Sequence, residues 1–158
     1  EVKKVFDKKI VLSGCLSTGK DIASALQMGA DMAYMGTRFI NVDESMADEA
    51  YKKMIMESSA EDIVYTAAVS GVNASFLRPS LEAMGITEKH WKETKKIDFG
   101  SETDAVSEEA KAWKTIWSAG QGVSNIHDSL RVSELIAKLK TEFTTAIKSQ
   151  QELLSRYQ

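Results

Sequence analysis

IVLSGCLSTGKDIASALQMGADMAYMGTRF, the run from Ile10 to Phe39, decides the fold. Lys9-Ile10-Val11-Leu12-Ser13 is a nearly continuous apolar stretch rich in β-branched residues. That is the pattern of a strand buried on both faces, as parallel strands are. Gly14 stops it. Ser17 or Thr18 then offers a helix N-cap, and Ile22, Ala25, Leu26 and Gly29 follow at helical spacing. Gly29 suits the left-handed position just past a helix end. Met32-Ala33-Tyr34-Met35 is the next strand, which completes a compact βαβ crossover.

Each strand of this crossover ends in a glycine-containing loop. These are Ser13-Gly14-Cys15-Leu16-Ser17-Thr18-Gly19 and Met35-Gly36-Thr37-Arg38-Phe39. A loop that leads from a strand into a helix points backbone N–H groups and the positive helix end at an anion. Gly14 allows close approach of the backbone. Gly36 and Thr37 can add an N–H and a hydroxyl from the neighbouring strand. In (β/α)8 barrels the loops after strands seven and eight form such a phosphate site. The expectation is therefore a phosphorylated ligand or cofactor at one end of a parallel sheet.

Gly14 to Asp21 nearly matches a P-loop, G-x-x-x-x-G-K-[ST]. The mismatch is Asp21, a carboxylate where a magnesium-holding hydroxyl is needed. It would repel the phosphates of a nucleoside triphosphate, so triphosphate hydrolysis is set aside. Cys15 lies beside a helix start, but no second cysteine or paired histidine stands near it in sequence to support a redox or nucleophilic role. Its plainer reading is a small side chain filling space at the turn. His90 and His127 lack metal-like spacing and read as surface residues.

Outward from this unit, Ser45 to Ser58 reads as a helix with Met46, Ala50, Met54 and Ile55 on one stripe. Ile63 to Thr66 is a weaker strand. Pro79 falls in a loop, and Leu81 to Trp91 holds a short helix. Asp98 to Glu109 is acidic without Lys or Arg and reads as a solvated face. Trp113 and Trp117, at i,i+4, pack against the body. Ser118-Ala119-Gly120-Gln121-Gly122 is a further glycine-rich turn, a pocket-lining loop or a plain turn. Val132 to about Arg156 is the longest helix, with Val132, Leu135, Ile136, Leu139, Phe143 and Ile147 inward and a Glu134–Lys138 pair outward. The chain thus divides into a phosphate-binding βαβ unit over 1–45, a helical insertion over 46–117, and a glycine loop with C-terminal helix over 118–158.

At 158 residues, with 43% apolar and 27% charged side chains, the chain can form one globular domain with a core. A net charge of -3 leaves no footprint for nucleic acid or an anionic membrane. Lys3, Lys4, Lys8 and Lys9, diluted by Glu1 and Asp7, form a solvated face. One cysteine cannot form an internal disulfide, which favours the cytoplasm. No apolar run approaches the roughly 20 residues that span a bilayer.

Gly14-Cys15-Leu16-Ser17-Thr18-Gly19, the Ala25-Leu26-x-Met28-Gly29-Ala30-Asp31 helix end, and Met35-Gly36-Thr37-Arg38-Phe39 followed by Glu44-Ser45 resemble the nitronate monooxygenases, formerly 2-nitropropane dioxygenases. Ser118 to Gly122 is similar to that family's late glycine-glutamine loop. A flavin-dependent enoyl-acyl-carrier-protein reductase shares much of the pattern. The resemblance implies an α/β fold, the C-terminal part of an FMN-binding TIM (β/α)8 barrel with additional helices. It implies a flavoprotein oxidoreductase that oxidises an alkyl nitronate or nitroalkane with O2. By motif position, Gly14 and Cys15 would face the FMN phosphate through their backbone N–H groups. Tyr34, Met35, Gly36 and Thr37 would complete the clamp, with Gln121 towards the substrate.

Cys15 stands where the family usually has a second glycine. The family is about twice as long, and its base histidine matches neither His90 nor His127. The chain therefore looks like a C-terminal half, inactive alone, whose partner is the missing N-terminal half of the barrel or a second copy in a homo-oligomer. The alternative outside enzymes is a half-barrel that holds a phosphorylated ligand without chemistry.

Overall fold

The computed structural model describes residues 1–69, 71–92 and 115–157. The acidic run 98–109 and Trp113 lie outside the described residues. Two compact units divide the chain: residues 1–46 with 128–158, and residues 47–127.

The first unit is built on the expected crossover. Strand β1 (Val11–Ser13) pairs in parallel with β2 (Met32–Tyr34), with Val11 opposite Met32 and Ser13 opposite Tyr34. A short helix α1 (Val2–Val5) precedes them. Helix α2 (Gly19–Gln27) connects the strands. Thr18 is its N-cap: the Thr18 hydroxyl accepts from the Asp21 N–H, and the Asp21 carboxylate accepts from the Thr18 N–H in return. This reciprocal pair satisfies donors that a helix start otherwise leaves open. Gly29 takes the left-handed conformation, φ +95°, that ends the helix. A short helix α3 (Thr37–Ile40) follows β2.

Helix α4 (Glu49–Glu57) opens the second unit in sequence, and the last helix of the chain, α7 (Val132–Leu154), follows that unit and belongs to the first. In the first unit α7 packs along α2. Its Leu135 and Leu139 join Val42 in a core completed by Ile22, Met35, Phe39 and Leu130. Gly19 is required at the contact. A Cβ there would stand 2.1 Å from the Leu139 carbonyl oxygen and 2.5 Å from the Phe143 nitrogen.

The second unit carries strands as well as helices. Strand β3 (Ile63–Thr66) runs antiparallel to β4 (Ala74–Leu77), with Val64 opposite Phe76. Helices α5 (Arg78–Ala83) and α6 (Glu88–Lys92) follow. Phe76, Leu81 and Ile116 form its core, with Val64, Val69, Ala74, Ile86 and Trp91 against them. Trp117 stacks on Tyr51 at 5.2 Å between ring centroids.

Several expectations are corrected. The helix expected from Ser45 starts at Glu49, because Asp48 caps it by accepting from the Ala50 N–H. Pro79 sits in the first turn of α5, not in a loop, where its missing N–H costs nothing. Strand β4 was not expected at all. Glu134 and Lys138 do not pair: Glu134 accepts from the Arg131 N–H at the start of α7, and Lys138 reaches Asp128. Strand β1 is not buried on both faces, since Val11 and Ser13 are exposed. Among the described residues β1 and β2 pair only with each other. Val11, Met32 and Tyr34 therefore leave one apolar face of this sheet in water, at 52%, 52% and 62% exposure.

Candidate functional site

The parallel register decides where the two glycine loops lie. Ser13 and Tyr34 are partners at the ends of their strands. The Gly14 loop and the Met35–Gly36 loop therefore leave the sheet side by side, from the same end. Gly14 adopts φ +98° and Cys15 φ +57°, two successive left-handed residues. The second is rare for a side-chain-bearing residue. Gly36 caps the start of α3. A Cβ added at Gly14 or at Gly36 would meet no atom within 4 Å. Both backbones are thus open to a ligand at close range, as a phosphate seat requires.

The six expected clamp residues divide by exposure. Gly14, Cys15, Tyr34 and Gly36 are exposed, and Thr37 is half-buried. The Met35 side chain packs against the first unit's core, which leaves its backbone as the group that can face the loops. Gln121 belongs to the second unit, where it opens a short 3-10 turn over Gln121–Asn125. His90 is exposed, its Nδ1 accepting from the Thr87 N–H, and His127 is exposed. Among the described residues no group of three potential metal ligands is present. No helix among them is long and apolar enough to cross a membrane.

The start of α2 is different from the open loops beside it. Asp21 Oδ2 accepts from the Ser17 N–H at 2.9 Å and from the Thr18 N–H at 2.8 Å. Glu142 on α7 accepts from the Gly19 N–H at 2.7 Å. Three consecutive amides that an anion would seek are already held by two carboxylates of the chain itself. Asp21, which spoils the P-loop pattern, is here the reciprocal partner of the Thr18 cap.

Next to Thr37 in the chain, Arg38 is 2% exposed. Its guanidinium pairs with the Asp128 carboxylate and donates to the Asp128 carbonyl at 2.9 Å. Asn41 Nδ2 donates to the same carbonyl at 2.8 Å, and Lys138 Nζ reaches the second carboxylate oxygen at 2.6 Å. Partial burial pushes the Asp128 carboxyl up, but Lys138 and Arg38 hold it below the ordinary aspartate range. The network braces the helix that begins with Thr37. Sequence reading passed over Asp128, Asn41 and Glu142. Apart from Lys138, ten positions from Asp128, their partners lie 87 to 123 positions away, where no spacing rule reaches.

The fold places the chain among α/β proteins as part of a (β/α)8 barrel. FabK from Thermotoga maritima superposes with a TM-score of 0.73 at 23% identity, over 96% of this chain and 49% of that one. Nitroalkane oxidase from Streptomyces ansochromogenes gives 0.69 at 25% identity, over 94% of this chain and 43% of that one. In sequence, the nitronate monooxygenase profile matches residues 1–142, and the chain belongs to the nitronate monooxygenase family. A nitronate monooxygenase of Paraburkholderia phytofirmans is 29% identical over 143 residues, 87% of this chain. The chain spans 38% of that relative's length.

Proposed function

We propose that this chain is the FMN-phosphate-binding, C-terminal half of a nitronate-oxidising flavoenzyme. The observation that carries the reading is the Ser13–Tyr34 register, with open space over both Gly14 and Gly36. The residues present fit a phosphate: a close-approach backbone at Gly14 and Cys15, a second one at Met35 and Gly36, and the Thr37 hydroxyl. Bound there, the flavin would supply the redox chemistry between nitronate and O2. The chain's own residues would hold and orient its phosphate end, while Tyr34 borders the seat from the exposed sheet face. Proton abstraction from a nitroalkane needs a positioned base. In the family that this chain resembles the base is a histidine whose position neither His90 nor His127 matches, and on this reading the other half of the barrel would supply it. That half would also cover Val11, Met32 and Tyr34 and pair with the sheet edges. On this scheme the second unit, residues 47–127, is an insertion, and residues 128–158 return the chain to the barrel.

The experiment compares the 158-residue chain alone with the chain supplied with an N-terminal half from a relative, each loaded with FMN. Nitrite release from propyl nitronate is expected only from the reconstituted pair. Robust turnover by the chain alone would overturn the half-enzyme reading. NADH consumption with an enoyl thioester, without nitrite, would favour the reductase instead.

A further inference from the structure

We propose that Asp21 and Glu142 are specificity residues, which close the start of α2 to anions and restrict the neighbouring seat to a single phosphate rather than a diphosphate. The inference rests on the phosphate reading of the Gly14 and Gly36 loops and says what that seat refuses.

The argument is one of donors and charge. A strand-loop-helix turn ordinarily presents its helix-start amides to a ligand's phosphates. Here the Ser17 and Thr18 amides donate to Asp21 and the Gly19 amide donates to Glu142. Glu142 cannot easily leave. It stands on α7 where Gly19 touches the Leu139 and Phe143 backbone, so the packing that excludes a Cβ at position 19 also keeps Glu142 beside the helix end, where its carboxylate accepts from the Gly19 amide. An incoming phosphate would have to displace a pre-placed anion at every one of these amides. Gly14 is three residues upstream of Ser17, at most about 10 Å of extended chain. That is about one screening length, roughly 8–10 Å between physiological salt and 0.1 M, so the repulsion is weakened but still felt. One phosphate sits over Gly14 and Gly36. A second, linked phosphate leaning towards α2 would meet two carboxylates. Ligands that end in a phosphomonoester pass, and those joined through a diphosphate are disfavoured.

The test is a pair of amide-resolved NMR titrations of the whole chain, with inorganic phosphate and with pyrophosphate. This tolerates weak binding and needs no activity. In the wild-type chain, phosphate is expected to move the amide signals of Gly14, Cys15, Gly36 and Thr37 and leave Ser17, Thr18 and Gly19 still. Asp21→Asn combined with Glu142→Gln keeps the acceptor oxygens and removes both charges. The ratio of pyrophosphate to phosphate affinity is then expected to rise about fivefold or more. A wild-type response at Ser17 to Gly19, or an unchanged ratio in the variant, would overturn the specificity role and leave the phosphate seat standing. Silence at Gly14 and Gly36 would overturn the seat, and this inference with it. The wild-type map decides the first point even if the double variant does not fold.

Discussion

Arg38 and Asp128 stand 90 positions apart and meet as an ion pair whose guanidinium is almost wholly out of water. The pair ties helix α3, which follows the second strand, to the segment that leads into the last helix. Removing the carboxylate would strand a buried charge, which costs far more than the pair's net contribution. Asp128→Ala is expected to destabilise the chain by roughly 3 kcal/mol. Replacing both partners, with Arg38→Met and Asp128→Leu, should cost less than the single change. Urea unfolding of the two variants checks this, and a double variant weaker than Asp128→Ala would refute it.

The same aspartate sets an acid limb. Its folded pKa lies below the ordinary value, near 3.9 for an unfolded chain. The carboxylate therefore contributes stability above about pH 4, and that contribution is lost as pH falls through the folded pKa. The urea midpoint of the wild type should drop on acidification below about pH 4. Asp128→Asn should start lower at neutral pH and fall less over the same range. Parallel curves would show that Asp128 is not the group responsible.

Gly19 and Gly14 make opposite predictions for alanine. At Gly19 the methyl group meets Leu139 and Phe143 backbone atoms, which cannot swing aside as side chains do. Helices α2 and α7 must part, and overpacking of this kind costs about 1–3 kcal/mol. At Gly14 there is room, but φ is +98°, so Gly14→Ala should cost only about 1 kcal/mol through backbone strain. The functional effects invert. Gly14→Ala fills the space over the proposed phosphate seat and should abolish the shifts expected there, whereas any phosphate response in folded Gly19→Ala should persist at Gly14. Thermal melts together with the phosphate titration separate the two.

Cys15 holds a left-handed backbone with φ +57°. Glycine relieves that strain at the cost of a more flexible unfolded chain. Cys15→Gly is expected to be neutral or stabilising by up to about 1 kcal/mol, against the usual loss from a new glycine. Denaturant midpoints measure it, and a loss above about 1 kcal/mol would argue against a left-handed residue 15.

In the second unit, Phe76 is fully buried among Leu81, Ile116 and Val64. Phe76→Ala should cost about 3–5 kcal/mol, a cavity its rigid neighbours cannot close. Circular dichroism melts would reveal a smaller loss, and with it a looser core than the packing describes.

What the sequence determined by itself was local. The crossover from Ile10 to Met35, a helix cap at Ser17 or Thr18, the left-handed Gly29 and the long final helix all follow from patterns within a few residues. Capping, 3.6-residue periodicity and glycine dihedrals act over one or two turns, so they are written where they act. The pairing of the strand-end loops was legible for the same reason, since a short helix between parallel strands brings their ends together. Tertiary structure alone decided the rest. It spent Asp21 and Glu142 on the amides that an isolated reading assigned to the ligand. It drew Lys138 away from Glu134 to Asp128, buried Arg38, and made Gly19 a packing residue. It also left Val11 and Tyr34 in water, because burial of a strand depends on neighbours that its own residues cannot name. A hydrogen bond between residues 19 and 142 has no periodicity to betray it; only the path of the folded chain brings such partners within 3 Å of each other.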